Sequence, residues 1–347
     1  MDRRGPPSRL RLVLLLAAIA GCPADIQGIA AHTCALLDDG SAWCWGDNRH
    51  GQLGDGSAYD RALPVAVAGL PPARAIAAGF GFTCAASTDG RAFCWGRDDQ
   101  GQLGDGGGPD RRTPAELPGL AGVRTLAAGW ASACAALDGG EVLCWGELGG
   151  VGGAPAAVTG LPAAALEVAV GTGSACAILS NGEGWCWGGD RIAVAAFTTV
   201  VSVAATWGGP CAALEDGSVT CEPGLPGPAV AVSGAAMQRC ALLADGTVWC
   251  WGEAPFGGSS ATSGPAQLAT GAKAVAVGDG AACAILQDGG LACWGENWSG
   301  QLGDGTDRER GAPVAVRGLP RPAVAVTASL GDLVFGSGCG GSATPGE

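Results

Sequence analysis

The chain has 347 residues, 48% of them apolar and 63 of them glycine, with a formal net charge of −13. That apolar share supports a packed core and excludes a disordered polyampholyte, whatever the glycine content suggests. Acidic residues number 32 against 19 basic ones, and Lys273 is the single lysine, so an extended phosphate-neutralising surface, and with it nucleic acid as a partner, is disfavoured.

The N-terminal segment carries Arg3, Arg4, Arg9 and Arg11, then the apolar run 12–20, then Gly21-Cys22. Nine apolar residues are too few to cross a hydrocarbon layer about 30 Å thick, so the pattern predicts an export signal rather than a membrane span. Residues 1–21 are assigned to that signal, 22–330 to the folded domain and 331–347 to a Gly/Ser-rich flexible tail. Ile19-Ala20-Gly21-Cys22 resembles the bacterial lipobox, which implies cleavage before Cys22 and a lipid on its thiol. Cleavage removes four arginines and Asp2 and moves the formal charge from −13 to −16. So acidic a surface is repelled by an anionic bilayer, leaving the lipid on Cys22 as the membrane contact. The expected location is outside the cytoplasm, anchored to the cell envelope or secreted.

Downstream, seven cysteine pairs recur with nine residues between partners: Cys34/Cys44, Cys84/Cys94, Cys134/Cys144, Cys176/Cys186, Cys211/Cys221, Cys240/Cys250 and Cys283/Cys293. The sixth residue after each first cysteine is glycine: Gly40, Gly90, Gly140, Gly182, Gly217, Gly246 and Gly289. Placing Cys34 opposite Cys44 sets Leu37 against Ser41 and leaves Asp38-Asp39-Gly40 as a three-residue hairpin loop, with glycine where the backbone turns left-handed. Each cysteine pair then falls at a non-hydrogen-bonded position, where a Cα separation of about 4.5 Å permits a disulfide. A two-residue turn would send the sulfurs to opposite faces. Zinc ligands stand closer in sequence and usually include histidine, of which there are only His32 and His50, so no metal and no cofactor are expected. Cys22 and Cys339 remain outside the pairs. Either Cys22 carries lipid and Cys339 is an odd thiol, or the two bond to each other; the lipobox favours the first.

Each unit reads as a short apolar strand, a small-residue turn, Cys-Ala-x-Leu or a variant, the glycine turn and Cys-Trp-Gly. In the second unit this predicts strands A to D over 74–78, 83–87, 92–95 and 114–117. First cysteines are separated by 50, 50, 42, 35, 29 and 43 residues, the size of propeller blades. The predicted fold is an all-β, seven-bladed β-propeller with one hairpin disulfide per blade. Its fifth and sixth blades are expected to be trimmed to three strands. The tryptophans directly after a cysteine (Trp45, Trp95, Trp145, Trp187, Trp251 and Trp294) face away from the disulfides and are expected to pack blade against blade. Ring closure is open to two strands, an N-terminal one over 25–30 or a C-terminal one over 322–328, with the C-terminal strand favoured.

Asn48-Arg49-His50-Gly51-Gln52-Leu53-Gly54-Asp55-Gly56, preceded by His32-Thr33-Cys34-Ala35-Leu36 and Trp45-Gly46, resembles the regulator-of-chromosome-condensation repeat family. Gly101-Gln102-Leu103-Gly104-Asp105-Gly106 and Gly300-Gln301-Leu302-Gly303-Asp304-Gly305 repeat the signature. Units three to six lack Gly-Gln-Leu-Gly, and the fifth replaces Cys-Trp-Gly with Cys221-Glu222-Pro223. Units one, two and seven become neighbours when the ring closes. Their long C–D loops carry Arg49, His50, Tyr59 and Asp60; Asp98, Asp99, Asp110 and Arg111; and Trp298, Asp307, Arg308 and Glu309. The motif itself reads as a turn scaffold whose Asp bonds backbone amides, with variable residues around it as contacts. On the same face stand Phe80, Trp130 and Trp207, four residues before a first cysteine. Large rings on A–B loops resemble the family's partner-binding positions, although the rings could equally fold over the blade beneath.

The predicted partner-binding residues are therefore Phe80, Trp130, Trp207, Tyr59, His50, Trp298 and Arg308. The expected partner is a protein, basic in character, bound by a monomer acting as a scaffold or inhibitor, since the resembled family includes a secreted β-lactamase inhibitor. No catalytic residue is assigned: no Gly-x-Ser-x-Gly elbow occurs, and His32 and His50 read as loop-ordering and solvated residues respectively. A glycan-cleaving propeller with paired carboxylates is the alternative. Guanine-nucleotide exchange ranks last, resting on fold analogy alone.

Overall fold

Alternation of side chains along each strand, with period two, decides how these units assemble. A computed structural model describes residues 31–149, 153–171, 173–188, 194–206, 209–222, 224–235, 238–252, 265–278 and 280–328. Cys22, Trp207, Cys339, the signal segment and the tail lie outside the described residues.

Blade I comprises β1 (His32–Leu37), β2 (Ala42–Gly46) and β3 (Arg61–Ala66), with β26 (Ala323–Ala328) as its inner strand. Blade II runs β4 (Ala73–Ala78), β5 (Phe82–Ser87), β6 (Ala92–Gly96) and β7 (Arg111–Glu116). Blade III runs β8 (Val123–Ala128), β9 (Ser132–Leu137), β10 (Val142–Gly146) and the short β11 (Ala156–Ala157). Blade IV runs β12 (Ala165–Val170), β13 (Ala175–Leu179), β14 (Gly184–Trp187) and β15 (Val194–Phe197). A two-stranded sheet follows, β16 (Val200–Thr206) with β17 (Gly209–Leu214). Blade V runs β18 (Ala229–Ala235), β19 (Gln238–Leu243), β20 (Val248–Gly252) and β21 (Ala266–Ala269). Blade VI runs β22 (Ala272–Val277), β23 (Ala281–Leu286), β24 (Leu291–Gly295) and β25 (Arg310–Ala315). Inner strands touch in the order β26, β4, β8, β12, β16, β18, β22 and back to β26, which closes the ring through the C-terminal strand.

The expectation of seven blades is corrected by this topology: the propeller has six four-stranded blades, and the fifth cysteine pair lies in a two-stranded hairpin between blades IV and V. The physical reason is visible at 221–228. Only 18 residues separate Cys221 from Cys240, enough for the inner pair of blade V and little else. Prolines at 223, 226 and 228 also lack the amide that a further strand would donate. All that remains of a third strand is an isolated bridge between Ala213 and Val219. The sixth unit, by contrast, keeps all four strands.

Hairpin register follows the glycine turns. Leu37 N donates to Ser41 O (2.9 Å), Cys34 faces Cys44, and the seven turn glycines have φ between 81° and 88°. Each of the seven cysteine pairs is bonded, with Cα separations of 4.0–4.1 Å in six and 5.3 Å for Cys211–Cys221. A bridge closing so short a loop contributes roughly 2–3 kcal/mol by chain entropy.

The disulfide and the tryptophan leave each blade on opposite faces and meet across the seams. Cys34–Cys44 of blade I shares a buried cluster with Trp95 of blade II; Cys84–Cys94 meets Trp145, and Cys134–Cys144 meets Trp187. Cys211 of the hairpin meets Trp251, Cys240–Cys250 meets Trp294, and Cys283–Cys293 meets Trp45. Only between blade IV and the hairpin is there no indole, because Glu222 follows Cys221; there Val200, Val203 and Ala212 fill the space. Trp45, Trp95, Trp145 and Trp294 are fully buried.

Trp95 and Trp145 differ in one bond. The Trp95 indole N–H donates to Gln52 O at 2.8 Å, whereas the Trp145 indole nitrogen has no hydrogen-bond partner among the described residues. Trp95→Phe is therefore expected to cost about 1 kcal/mol more than Trp145→Phe. Urea unfolding of the two variants measures the difference, and equal losses would mean that the indole bond contributes nothing.

Candidate functional site

The A–B and C–D loops share one face of the ring, and the C–D loops of blades VI, I and II are the longest on it among the described residues. A buried polar residue three positions before Gly-Gln organises each of them. In blade I the Asn48 side-chain amide donates to Asp55 Oδ1 (3.1 Å), Ser57 Oγ (3.1 Å) and Tyr59 O (3.2 Å), while Asn48 Oδ1 accepts from Leu53 N (3.0 Å). Asn297 repeats this in blade VI, donating to Thr306 O (2.9 Å) and Arg308 O (3.0 Å) and accepting from Leu302 N (2.9 Å). The motif glutamine fixes the loop tip: Gln52 Oε1 accepts from His50 N, and Gln301 Oε1 from Ser299 N.

The motif aspartate also bonds backbone amides, as expected from sequence. Asp55 Oδ1 accepts from Ser57 N at 2.8 Å, and Asp55 Oδ2 takes both Nε and a terminal nitrogen of Arg61. Burial works to raise the Asp55 carboxyl, but the bonds from Ser57 and Arg61 outweigh it and hold the group below its ordinary value. Asp304 has the same balance with Thr306 and Arg310.

These loops clasp the following blade. Gly56 N donates to Arg112 O of β7, and Gly305 N to Ala62 O of β3, both at 3.0 Å. Gln52 O accepts from Thr83 Oγ1 and the Trp95 indole of blade II; Gln301 O accepts from Thr33 Oγ1 and the Trp45 indole of blade I. Gly54 sits at φ 69° with its α-carbon against the Trp95 indole, where a Cβ would stand 2.7 Å from Nε1. Only glycine fits there.

The structure separates the predicted contact residues into two groups. Phe80 is 5% exposed: it stacks on Trp130 with centroids 4.0 Å apart, lies under the Arg97 guanidinium, and packs in one cluster with Ala235 and Val277 of blades V and VI, across the central channel. Its ring is spent inside the molecule, and Trp130 is half-buried on it. Tyr59 and Trp298, at 75% and 68% exposure, instead project from the blade I and blade VI loops. They flank one seam, because Gly300, two residues from Trp298, packs on Ala62, three residues from Tyr59. Leu63 of β3, 47% exposed, lies beside Gly305 at the same place. Arg308 is exposed on the blade VI loop with Asp307 and Glu309.

His50 is not the free loop-tip residue its position suggests: its Nδ1 lies 2.7 Å from Asp110 Oδ2 of blade II. His32 Nε2 reaches Thr83 Oγ1 at 2.7 Å and so also ties blade I to blade II. Asp98, grouped by sequence with the surface residues of its loop, is buried. The loop-organising role of Asn48, Asp98 and Asn297 escaped the sequence reading; the signal was a polar side chain recurring three residues before each Gly-Gln. Among the described residues, no three His, Cys, Asp or Glu side chains converge as a metal site.

Residues 39–86, 89–136 and 288–332 match the regulator of chromosome condensation (RCC1) repeat, and residues 73–102 and 272–301 match a second form of that repeat. No curated protein matches the chain by sequence. Among solved structures it is similar to Prp20p of Saccharomyces cerevisiae, reported with its binding to Gsp1p and histones, at 18% identity, TM-score 0.68 and coverage of 85% of this chain and 87% of that one. It is similar to yeast RCC1 (Prp20) with Kap60 bound at 16% identity, TM-score 0.68 and coverage of 92% and 90%. Human WBSCR16 follows at 17% identity, TM-score 0.54 and coverage of 89% and 86%. At these identities the likeness is one of fold.

Because Asn48 is the centre of a buried bond network, Asn48→Ala is expected to destabilise the protein by about 2–3 kcal/mol, whereas Tyr59→Ala changes stability by less than about 0.5 kcal/mol. Denaturant unfolding of both variants checks the contrast, and similar losses would contradict the assigned division between scaffold and surface.

Proposed function

From the membership of this chain in the regulator of chromosome condensation repeat family, we propose that it is a non-catalytic, protein-binding propeller working outside the cytoplasm. The observation that carries the reading is the pair of large exposed aromatics, Tyr59 and Trp298, on hydrogen-bonded loops at the blade VI/blade I seam, where Leu63 is also exposed beside Gly305. Tyrosine and tryptophan bury much area at little entropic cost and are common anchors of interfaces. The surrounding side chains are mostly acidic: Asp60, Asp307 and Glu309 are exposed there, against Arg308. Arg61 and Arg310 are already paired with Asp55 and Asp304. A basic partner with an apolar contact patch fits this surface, and its association should weaken with salt.

Seven disulfides support an oxidising compartment. Together with the lipobox-like sequence at Cys22, they favour export followed by lipid anchoring. The solved relatives give protein binding a precedent in the fold, through Gsp1p, histones and Kap60 for the yeast protein. Glycan cleavage has less support: the close carboxylate pair of blade II, Asp98 with Asp105, has Asp98 buried out of reach of a polysaccharide.

The test is comparative capture from envelope extracts with the wild-type protein and the Tyr59→Ala/Trp298→Ala variant. A specific partner is expected to bind wild type at least about tenfold more tightly than the variant, as for loss of two anchors, and to dissociate more readily in high salt. Equal capture by a folded double variant would remove this seam from the interface.

A further inference from the structure

In blades I and VI the Asn48 and Asn297 amides donate into a ring of oxygens. Asp55 Oδ1, Ser57 Oγ and Tyr59 O receive the first; Asp304 Oδ1, Thr306 O and Arg308 O receive the second. Blade II builds the same loop around a different organising residue. Leu103 N donates to Asp98 Oδ1 (3.0 Å), Asp98 N to Asp110 Oδ1 (3.1 Å) and Gln100 N to Gln102 Oε1 (2.7 Å), and Arg111 pairs with Asp105. Each of these bonds has a counterpart in blade I: Leu53 N to Asn48 Oδ1, Asn48 N to Asp60 Oδ1, His50 N to Gln52 Oε1, and Arg61 to Asp55. At the organising position, however, an aspartate stands where the other two loops have asparagine.

The consequence is a missing donor. Asp98 is 2% exposed, and its Oδ2 makes no well-aligned hydrogen bond among the described residues, although the Gly108 amide stands near it. The side chain facing it is the Asp105 carboxylate, the counterpart of the Asp55 carboxylate that accepts the Asn48 amide in blade I. Ionised carboxylates only accept, so the two cannot satisfy one another. We propose that a proton fills this gap: Asp98 is retained as a carboxylic acid whose O–H donates to the Asp105 carboxylate, making the blade II loop a pH-sensitive clasp that loosens as the pair ionises.

Burial first, and then the neighbouring Asp105 charge, push the Asp98 carboxyl up from 3.8 to about 6, against the opposing pull of the Leu103 and Gly108 amides. Between those two values the folded protein holds a proton that the unfolded chain has released. The stabilisation is therefore complete below about pH 4 and is lost as the pH rises through about 6. Asp55 and Asp304 have the opposite sign, being held below their ordinary value and losing their contribution in acid. The other charged groups around the clasp are Arg111 on Asp105, the Arg97–Asp99 pair, and Asp110, which takes Asp98 N on one oxygen and His50 of blade I on the other.

A calcium ion is the competing occupant, and the site suits it poorly. Calcium needs about six to eight oxygen ligands. Gly107 stands where Ser57 and Thr306 offer hydroxyls, and no three metal-ligating side chains converge among the described residues. The proposal does not depend on the binding function argued above.

Thermal unfolding of wild type, Asp98→Asn and His50→Gln from about pH 4.5 to pH 8 tests it. Asp98→Asn restores the donor of blades I and VI, so its Tm should exceed wild type by about 3–6 °C near pH 7.5, with the gap closing below about pH 5. His50→Gln, which removes the blade I contact to Asp110, should keep the wild-type pH dependence. Carbon-detected NMR of the Asp98 carboxyl in the wild-type protein gives a reading that needs no variant to fold, with a midpoint near 6 expected. A gap that does not vary with pH, an Asp98 midpoint near 4, or a wild-type Tm raised by millimolar calcium as much as by Asp98→Asn would overturn the proposal.

Discussion

Everything in this molecule depends on the period of a β-strand. Because neighbouring residues point to opposite faces, Cys-Trp places a disulfide on one side of a blade and an indole on the other. Six of the seven seams then join the disulfide of one unit to the tryptophan of the next. The same alternation makes the glycine turn indispensable. A slip of one residue would separate the sulfurs and turn the indole to the wrong neighbour. Strands built largely from alanine and valine bury little area each at about 25 cal/mol per Å², so covalent hairpins and large rings at the seams carry a correspondingly greater share of the cohesion.

The C–D loops extend that logic to the face that carries Tyr59 and Trp298. Where Gly-Gln-Leu-Gly is present in blades VI and I, the glutamine carbonyl accepts the next blade's indole N–H, and the last glycine leaves room for the ring. The loop is thereby held against its neighbour by backbone contacts rather than by long flexible side chains. Tyr59 and Trp298 stand on this braced sector, so their exposure is a property of an ordered surface. Such preorganisation would lower the entropic cost of the binding proposed for this surface. Phe80 and Trp130 do the reverse, turning inward to stack on each other above the channel.

Much of this was legible in the sequence. The spacing of Cys34 and Cys44 around Gly40 fixed the hairpin register, and Cys-Trp identified the two faces. Of the two strands open for ring closure, the C-terminal one pairs with β1 as β26. The blade count failed at Cys221, where a repeat marker survives although prolines and a short span leave no outer strands. Cysteine pairs report hairpins, and a hairpin is only half a blade. The fate of the rings was illegible for a different reason: Phe80 and Trp298 both stand on loops of the same face, and whether a ring turns inward depends on what lies across the channel. Asn48 and Asp98 occupy equivalent places, yet only three-dimensional contacts reveal that one amide nitrogen feeds three oxygens and that its carboxylate replacement cannot.

The most direct test of the account is peptide mapping of the native, unreduced protein by mass spectrometry after digestion with thiols blocked. The account predicts seven linked peptides joining Cys34 to Cys44, Cys84 to Cys94, Cys134 to Cys144, Cys176 to Cys186, Cys211 to Cys221, Cys240 to Cys250 and Cys283 to Cys293. Alkylated free thiols at these positions, or links between cysteines of different hairpins, would contradict both the strand register and the seam packing built on it.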